Sequence, residues 1–117
     1  MFNPTVLAHF ANPHNAGDLA GATAIVEASN PVCGDVLRLS VQVESGRIVA
    51  ARFKTQGCVA AIAAGSLLTD LLAGKSAAEA SQLTAESIAQ ALGGLPEASF
   101  HAAQLCTDVV QALLRKL

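Results

Sequence analysis

The chain has 117 residues, of which 52% are apolar and 14% are charged, and its net charge is −2. This length is typical of one domain spanning residues 1–117. The small charge, without a Lys/Arg cluster, argues against nucleic-acid binding, and the apolar run from Cys58 to Leu68, broken by Gly65 and Ser66, is too short to span a membrane.

The first half of the chain predicts one short helix and a three-stranded antiparallel meander. Asn3 followed by Pro4 is typical of a helix start, and this helix should run to about Phe10. We predict a first strand over residues 23–28. Apolar and polar residues then alternate over residues 37–44 and 49–54, and Ser45-Gly46 separates the two runs, which is the pattern of a β-hairpin.

The second half predicts helices, because the apolar period changes from two residues to that of a helix. Polar residues or prolines stand where these helices should begin, and glycines stand where several should end. The predicted helices run from Cys58 to Gly74, from Ser76 with Glu79 as a capping box, from Thr84 to Gly93-Gly94, and from Pro96 to about Lys116. The expected fold is α+β: a three-stranded antiparallel sheet with helices packed on one face.

The N-terminus and the cysteine count bear on where and how the protein works. The start of the chain lacks the charged and apolar regions of a signal peptide, so we expect a cytoplasmic location. The chain has three cysteines, and this odd number argues against a disulfide framework. Metal binding or thiol chemistry is the better expectation for them.

Two cysteines and an acid fall at one end of the predicted hairpin. Cys33 and Asp35 stand just before one strand, and Cys58 stands just after the returning strand, so the three side chains should meet. We expect Gly34 and Gly57 to allow tight turns beside them. Two thiolates and a carboxylate are three of the four ligands of a tetrahedral zinc or iron site, and His101 is the candidate for the fourth.

The position of Cys58 also predicts its protonation state. It precedes a predicted helix, and backbone N–H groups with the helix dipole lower the pKa of a thiol at that position. We therefore expect Cys58 to be ionised readily.

Structural alternatives to this metal site remain open. A cysteine at a sheet edge is often a small core residue, and an Asp after Gly is often a turn residue. His9 and His14 are predicted to be surface or loop-packing residues, with a ligand role as the lesser alternative.

The segments "NPVCGDVLRLSVQV", "RFKTQGC" and "HFANPHNAGDL" resemble the IscU/NifU-type iron–sulfur cluster assembly scaffolds. The likeness covers nearly the whole chain. It implies a scaffold that receives sulfur from a cysteine desulfurase and iron from a donor, assembles a transient [2Fe–2S] cluster and passes it to acceptor apo-proteins. It also implies that zinc can occupy the same site, and that the ligands are Cys33, Asp35, Cys58 and His101.

The chain departs from this family at its third cysteine. In the family that cysteine directly follows the histidine and is regarded as the sulfur acceptor, whereas here Ala102 follows His101. The remaining thiol, Cys106, lies one helical turn further on, in an apolar arc, which favours a core residue over a displaced ligand.

The residues between Leu95 and Ser99 differ from the family as well. Housekeeping scaffolds carry a Leu-Pro-Pro-Val-Lys segment there, which a dedicated chaperone reads. This chain has Leu-Pro-Glu-Ala-Ser, so we do not expect it to depend on such a chaperone.

These residues are compatible with three functions. The first is a non-enzymatic scaffold or carrier that binds iron or zinc and a [2Fe–2S] cluster. The second is a zinc-binding sulfur acceptor of the sulfurtransferase kind. The third is a divergent member that binds metal or a desulfurase without building a cluster.

Overall fold

The computed structural model describes residues 2–117 and has the predicted α+β architecture. A helix, α1 (Pro4–Ala11), precedes three strands, β1 (Ala24–Ser29), β2 (Val36–Glu44) and β3 (Arg47–Gln56). Four helices follow: α2 (Val59–Leu72), α3 (Ala77–Ala80), α4 (Ala85–Ala91) and α5 (His101–Lys116). The strands form one antiparallel sheet in the order β1-β2-β3, which confirms the predicted meander.

Alternating side chains of the strands form one side of the core. Leu37, Leu39 and Val41 of β2 are fully buried, because α2 packs on β3 while α5 packs on β1. Helix α1 packs on α2, and α4 packs on α5. Within residues 2–117 no helix is both long enough and apolar enough to cross a membrane.

The predicted helix starts are confirmed by their hydrogen bonds. The Val6 N–H donates to Asn3 Oδ1 at 3.0 Å at the start of α1. Ser76 and Glu79 form the expected capping box of α3. Thr84 forms a second box with Ser87, in which the serine hydroxyl takes the place of the usual carboxylate.

The predicted start of the last helix is wrong by five residues. Pro96 has extended backbone angles and precedes a 3₁₀ turn over Glu97–Ser99, in which the Ser99 N–H donates to the Pro96 carbonyl. Such turns are tighter than an α-helix and are frequent at helix N-termini. The α-helix therefore begins at His101, which places this side chain at the helix end instead of within it.

The outer edge of β3 is partly covered by the loop after α1. Phe53 donates its N–H to the Asn15 carbonyl at 3.0 Å and accepts from the Gly17 N–H at 2.8 Å. These bonds continue the sheet beyond its last strand and hold the loop from residue 12 to residue 17 against α2 and β3.

Candidate metal centre

The structure places the four predicted site residues at one end of the sheet. Cys33 lies in the turn before β2 and Asp35 immediately precedes that strand. Cys58 is the N-cap residue of α2, and His101 is the first residue of α5. Four side chains from distant parts of the sequence thus converge, because the open end of the β2–β3 hairpin and the N-termini of α2 and α5 lie at this point.

Three donor atoms of this group form a compact triangle. His101 Nε2 lies 3.4 Å from Asp35 Oδ2, and Cys58 Sγ lies 3.5 Å from Asp35 Oδ2 and 3.7 Å from His101 Nε2. Tetrahedral zinc with bonds of 2.0–2.3 Å would set these separations at about 3.3–3.6 Å. The chemistry and the spacing of the donors therefore fit a tetrahedral metal ion.

Cys33 is a fourth potential donor and lies near Asp35 and His101. Its ligand atom and those of Asp35 and His101 all lie within 4.8 Å of one another, and the residue is exposed. Gly34 has a φ of +77°, as expected of a tight turn, and its N–H donates to the Asn30 carbonyl at 2.7 Å. This turn holds Cys33 near Asp35 and His101 and leaves the residue exposed.

Gly57 has a role that differs from the predicted tight turn. A Cβ at this position would lie 2.7 Å from Asp35 Cγ and 2.9 Å from Asp35 Oδ1, whereas the backbone angle itself is ordinary. The residue therefore needs to be glycine because the carboxylate packs against its Cα. This contact buries Asp35 to 6% exposure beneath the site.

His101 is oriented by a bond to the preceding turn. Its Nδ1 lies 3.2 Å from the Ala98 carbonyl oxygen. Because a carbonyl can only accept, Nδ1 carries the proton in this contact, and the ring is oriented with Nε2 toward the site. Histidines that bind metals are commonly oriented by such a bond.

The predicted lowering of the Cys58 pKa is wrong. Although Cys58 as a whole is exposed, partial burial of its thiol raises the pKa above the usual value, and the nearby Asp35 carboxylate raises it further. The backbone N–H groups of Ala60 and Ala61 at the start of α2 lower it, but they do not outweigh burial. The thiol donates its hydrogen to Asp35 Oδ2.

The third thiol lies in the core, as its position in the apolar arc predicts. Cys106 is fully buried, and burial raises its pKa to about 12. Ala102 is also buried, at 1% exposure. The buried Cys106 thiol is therefore neither an ionised metal ligand nor an accessible sulfur acceptor, and Ala102 has no thiol.

Two histidines lie outside this site. His9 is partly buried on α1, and His14 is exposed in the following loop, as expected of surface or loop-packing residues. Their nearest partners are on the second half of α2, which sequence spacing could not indicate.

Comparison with known proteins places the chain in a family. The family model of the NifU-like N terminal domain matches residues 1–116. The chain is 39% identical over 111 residues to the iron-sulfur cluster assembly scaffold protein IscU 1 of Archaeoglobus fulgidus, covering 95% of this chain and 72% of that protein. It is 41% identical over 120 residues to the iron-sulfur cluster assembly enzyme IscU of Drosophila melanogaster, covering 97% and 76% respectively.

The fold is shared with a solved structure from this group. The N-terminal part of a nitrogen-fixing NifU-like protein from Brucella abortus superposes with a TM-score of 0.66, at 19% identity, over 97% of this chain and 81% of that one. At this identity the likeness concerns the fold alone. The family model and the two relatives show that this chain belongs to the NifU-like N-terminal domain family.

Proposed function

We propose that this protein is an iron–sulfur cluster assembly scaffold that holds iron and a transient [2Fe–2S] cluster on Cys33, Asp35, Cys58 and His101. The Archaeoglobus fulgidus relative is named as a scaffold for that assembly and the Drosophila melanogaster relative as an assembly enzyme, and the chain belongs to their family. The cluster is the cargo of such a protein, so the site has to receive it and release it.

The observation that carries the proposal is the triangle formed by Asp35, Cys58 and His101. Donor atoms of three different kinds stand 3.4–3.7 Å apart, at separations suited to one metal ion. A carboxylate, a thiol and an imidazole are three side-chain types that bind zinc or iron, and here they come together from three separate segments of the chain. The arrangement is therefore better explained by a shared ligand than by packing.

The mixture of thiolate, carboxylate and imidazole ligands suits a cluster that has to be released to another protein. Thiolates hold iron of a cluster strongly, whereas an oxygen ligand is exchanged more easily, and imidazole ligands raise the potential of a cluster. Cys33 and Cys58 are exposed, so a partner can reach the sulfur side of the site while Asp35 stays buried beneath it.

We propose that sulfur and iron come from other proteins. The four side chains bind and exchange ligands, and a cysteine desulfurase, an iron donor and acceptor apo-proteins would supply and remove the cargo. The role is accordingly that of a scaffold and not of an enzyme. A dedicated chaperone is not part of the proposal, because residues 95–99 lack most of the segment that such a chaperone reads.

Ala102 favours a second candidate function. The thiol that the family uses to accept sulfur is absent at this position, and buried Cys106 does not replace it. The alternatives are a zinc-binding sulfur acceptor that uses exposed Cys33, or a divergent member that binds metal or a desulfurase without building a cluster. Ala102→Cys should raise the yield of cluster if only that thiol is missing.

The test is the content of iron, zinc and acid-labile sulfide in protein purified without oxygen. We expect iron and sulfide in equal amounts in the wild type and in Cys106→Ala, and loss of both in Cys33→Ala and Cys58→Ala. Cys106→Ala is the matched control, since it removes a thiol from the core and not from the site.

The zinc content of the purified protein would distinguish the scaffold function from the two alternatives. Zinc alone in the wild type, still without sulfide after incubation with a desulfurase, iron and a thiol reductant, would reject the scaffold function. Equal iron and sulfide in the wild type and Cys58→Ala would instead reject the proposed ligands.

A further inference from the structure

A second group of potential metal ligands lies at the opposite end of α2. Ligand atoms of His9, His14 and Asp70 all lie within 4.8 Å of one another. Asp70 follows Cys58 by twelve positions on the same helix. At 1.5 Å per residue the two groups are about 18 Å apart along the helix axis, so no single ion could use both.

The three side chains come from three separate segments. His9 lies on α1, His14 in the loop after it, and Asp70 near the end of α2. His14 Nδ1 lies 2.6 Å from Asp70 Oδ2, and the centres of the two imidazole rings are 4.7 Å apart. Two imidazoles and one carboxylate thus face a common point at the protein surface.

Each of these ligands is oriented by a further polar contact. His9 Nδ1 lies 2.7 Å from the hydroxyl of fully buried Ser66, so Nε2 is the ring nitrogen that would bind a metal. Asn15 Nδ2 donates to Asp70 Oδ1 at 3.4 Å, which leaves Oδ2 toward His14. Support of this kind, from a second set of polar groups behind the ligands, is typical of metal sites.

The donor types of the group also suit a transition-metal cation. A neutral imidazole is the form of histidine that binds metals. The group offers two imidazole nitrogens and one carboxylate oxygen to an ion.

We propose that His9, His14 and Asp70 form a second metal site, which binds a divalent transition-metal ion of the zinc class and is separate from the cysteine-containing centre. Nitrogen and carboxylate donors suit zinc, nickel or copper(II), whereas magnesium and calcium prefer oxygen alone. Three protein ligands leave one tetrahedral position for water. The inference is independent of whether the first site builds a cluster.

Binding requires a small movement of exposed atoms. The proton that His14 and Asp70 share would be replaced by the ion, so their 2.6 Å separation would open to about 3.3 Å. Both side chains are more than 40% exposed and can rotate by that amount. The ion would then tie α1 and its loop to α2.

The competing explanation is that these hydrogen bonds only fasten the N-terminal segment. Two substitutions separate the explanations. His14→Arg keeps an ion pair with Asp70 but has no lone pair for a metal, and His9→Gln keeps a hydrogen bond to Ser66 but removes the imidazole. Both variants should fold, because each preserves the contact that the fold uses.

The experiment is zinc titration of a Cys33→Ser/Cys58→Ser protein, in competition with a chromophoric chelator. We expect one zinc ion per chain, and at least tenfold weaker binding after His14→Arg or His9→Gln. Asp70→Asn should weaken binding similarly, whereas Asp108→Asn, an exposed acid on α5, is the matched control and should not. Cobalt(II) at this site should show no thiolate charge-transfer band.

Two results would overturn the proposal. One is the absence of zinc binding by the double cysteine variant while its circular dichroism remains that of the wild type. The other is equal zinc affinity with and without His14→Arg, which would locate the ion elsewhere.

Discussion

At the scale of single residues, the position of Asp35 depends on the missing side chain of Gly57. The carboxylate packs against the glycine Cα, and there it meets His101 Nε2 and Cys58 Sγ. A residue that touches no metal thus decides where one of the proposed ligands stands. Such positioning acts on affinity more than on folding, because the carboxylate can swing outward into solvent.

Gly57→Ala should therefore weaken metal binding at the cysteine-containing centre by at least tenfold. Its Cβ would lie 2.7 Å from Asp35 Cγ, so the carboxylate has to leave the triangle. Zinc affinity measured by chelator competition tests this expectation. Gly21→Ala is the control, because its φ of +73° costs about 1 kcal/mol of stability while no atom lies within 4 Å of the new Cβ. Unchanged zinc affinity in Gly57→Ala would contradict this role.

The three cysteines show how one residue type takes different roles. Cys33 and Cys58 are exposed at the end of the sheet, whereas Cys106 is buried in the core. Their spacing predicted the first two as partners because a hairpin brings its ends together. The pKa of Cys58 was predicted wrongly, since the helix N-terminus is visible in the sequence but the burial that outweighs it is not.

At the scale of elements, Gly65 allows α2 to pack closely against β3. A Cβ there would lie 2.6 Å from Phe53 Cδ2 and 3.2 Å from Leu37 Cδ1. Glycine is a poor helix former, so its place in the middle of α2 needs a reason. The reason is the aromatic ring of β3, which occupies the space of a side chain.

Gly65→Ala should lower the free energy of unfolding by up to about 2 kcal/mol. Better helix propensity contributes about 1 kcal/mol in favour of alanine, but overpacking against Phe53 costs about 1–3 kcal/mol. Urea denaturation measures the difference. Phe53→Leu in the same chain should make the cost of Gly65→Ala smaller, as a double-mutant cycle would show. A more stable Gly65→Ala protein would mean that the ring moves aside freely.

At the scale of the whole molecule, the cysteine-containing centre exists only in the folded chain. Its donors come from the turn before β2 and from the first residues of α2 and α5, separated by up to 68 positions between Cys33 and His101. An ion bound there favours the folded state by mass action. Metal binding and stability should accordingly rise together.

Zinc should raise the melting temperature of the His14→Arg variant, in which only this centre remains. At a free zinc concentration one hundred times the Kd, linkage contributes about 2.7 kcal/mol. For a chain of 117 residues this corresponds to a rise of about 10 °C, reversed by a chelator. Adding Cys33→Ser and Cys58→Ser should abolish the rise. The same rise without the two thiols would place the ion at other residues.

The sequence by itself determined most bounds of the strands and helices, and the end of the sheet at which Cys33, Asp35 and Cys58 lie. Alternation, capping residues and hairpin geometry are local properties, so the pattern of residues carries them. Residue spacing could not show the approach of Asp35 to Gly57, the burial that raises the Cys58 pKa, or the meeting of His9 and His14 with Asp70. These depend on how α1, α2 and α5 pack, and packing is decided by contacts between residues far apart in the chain.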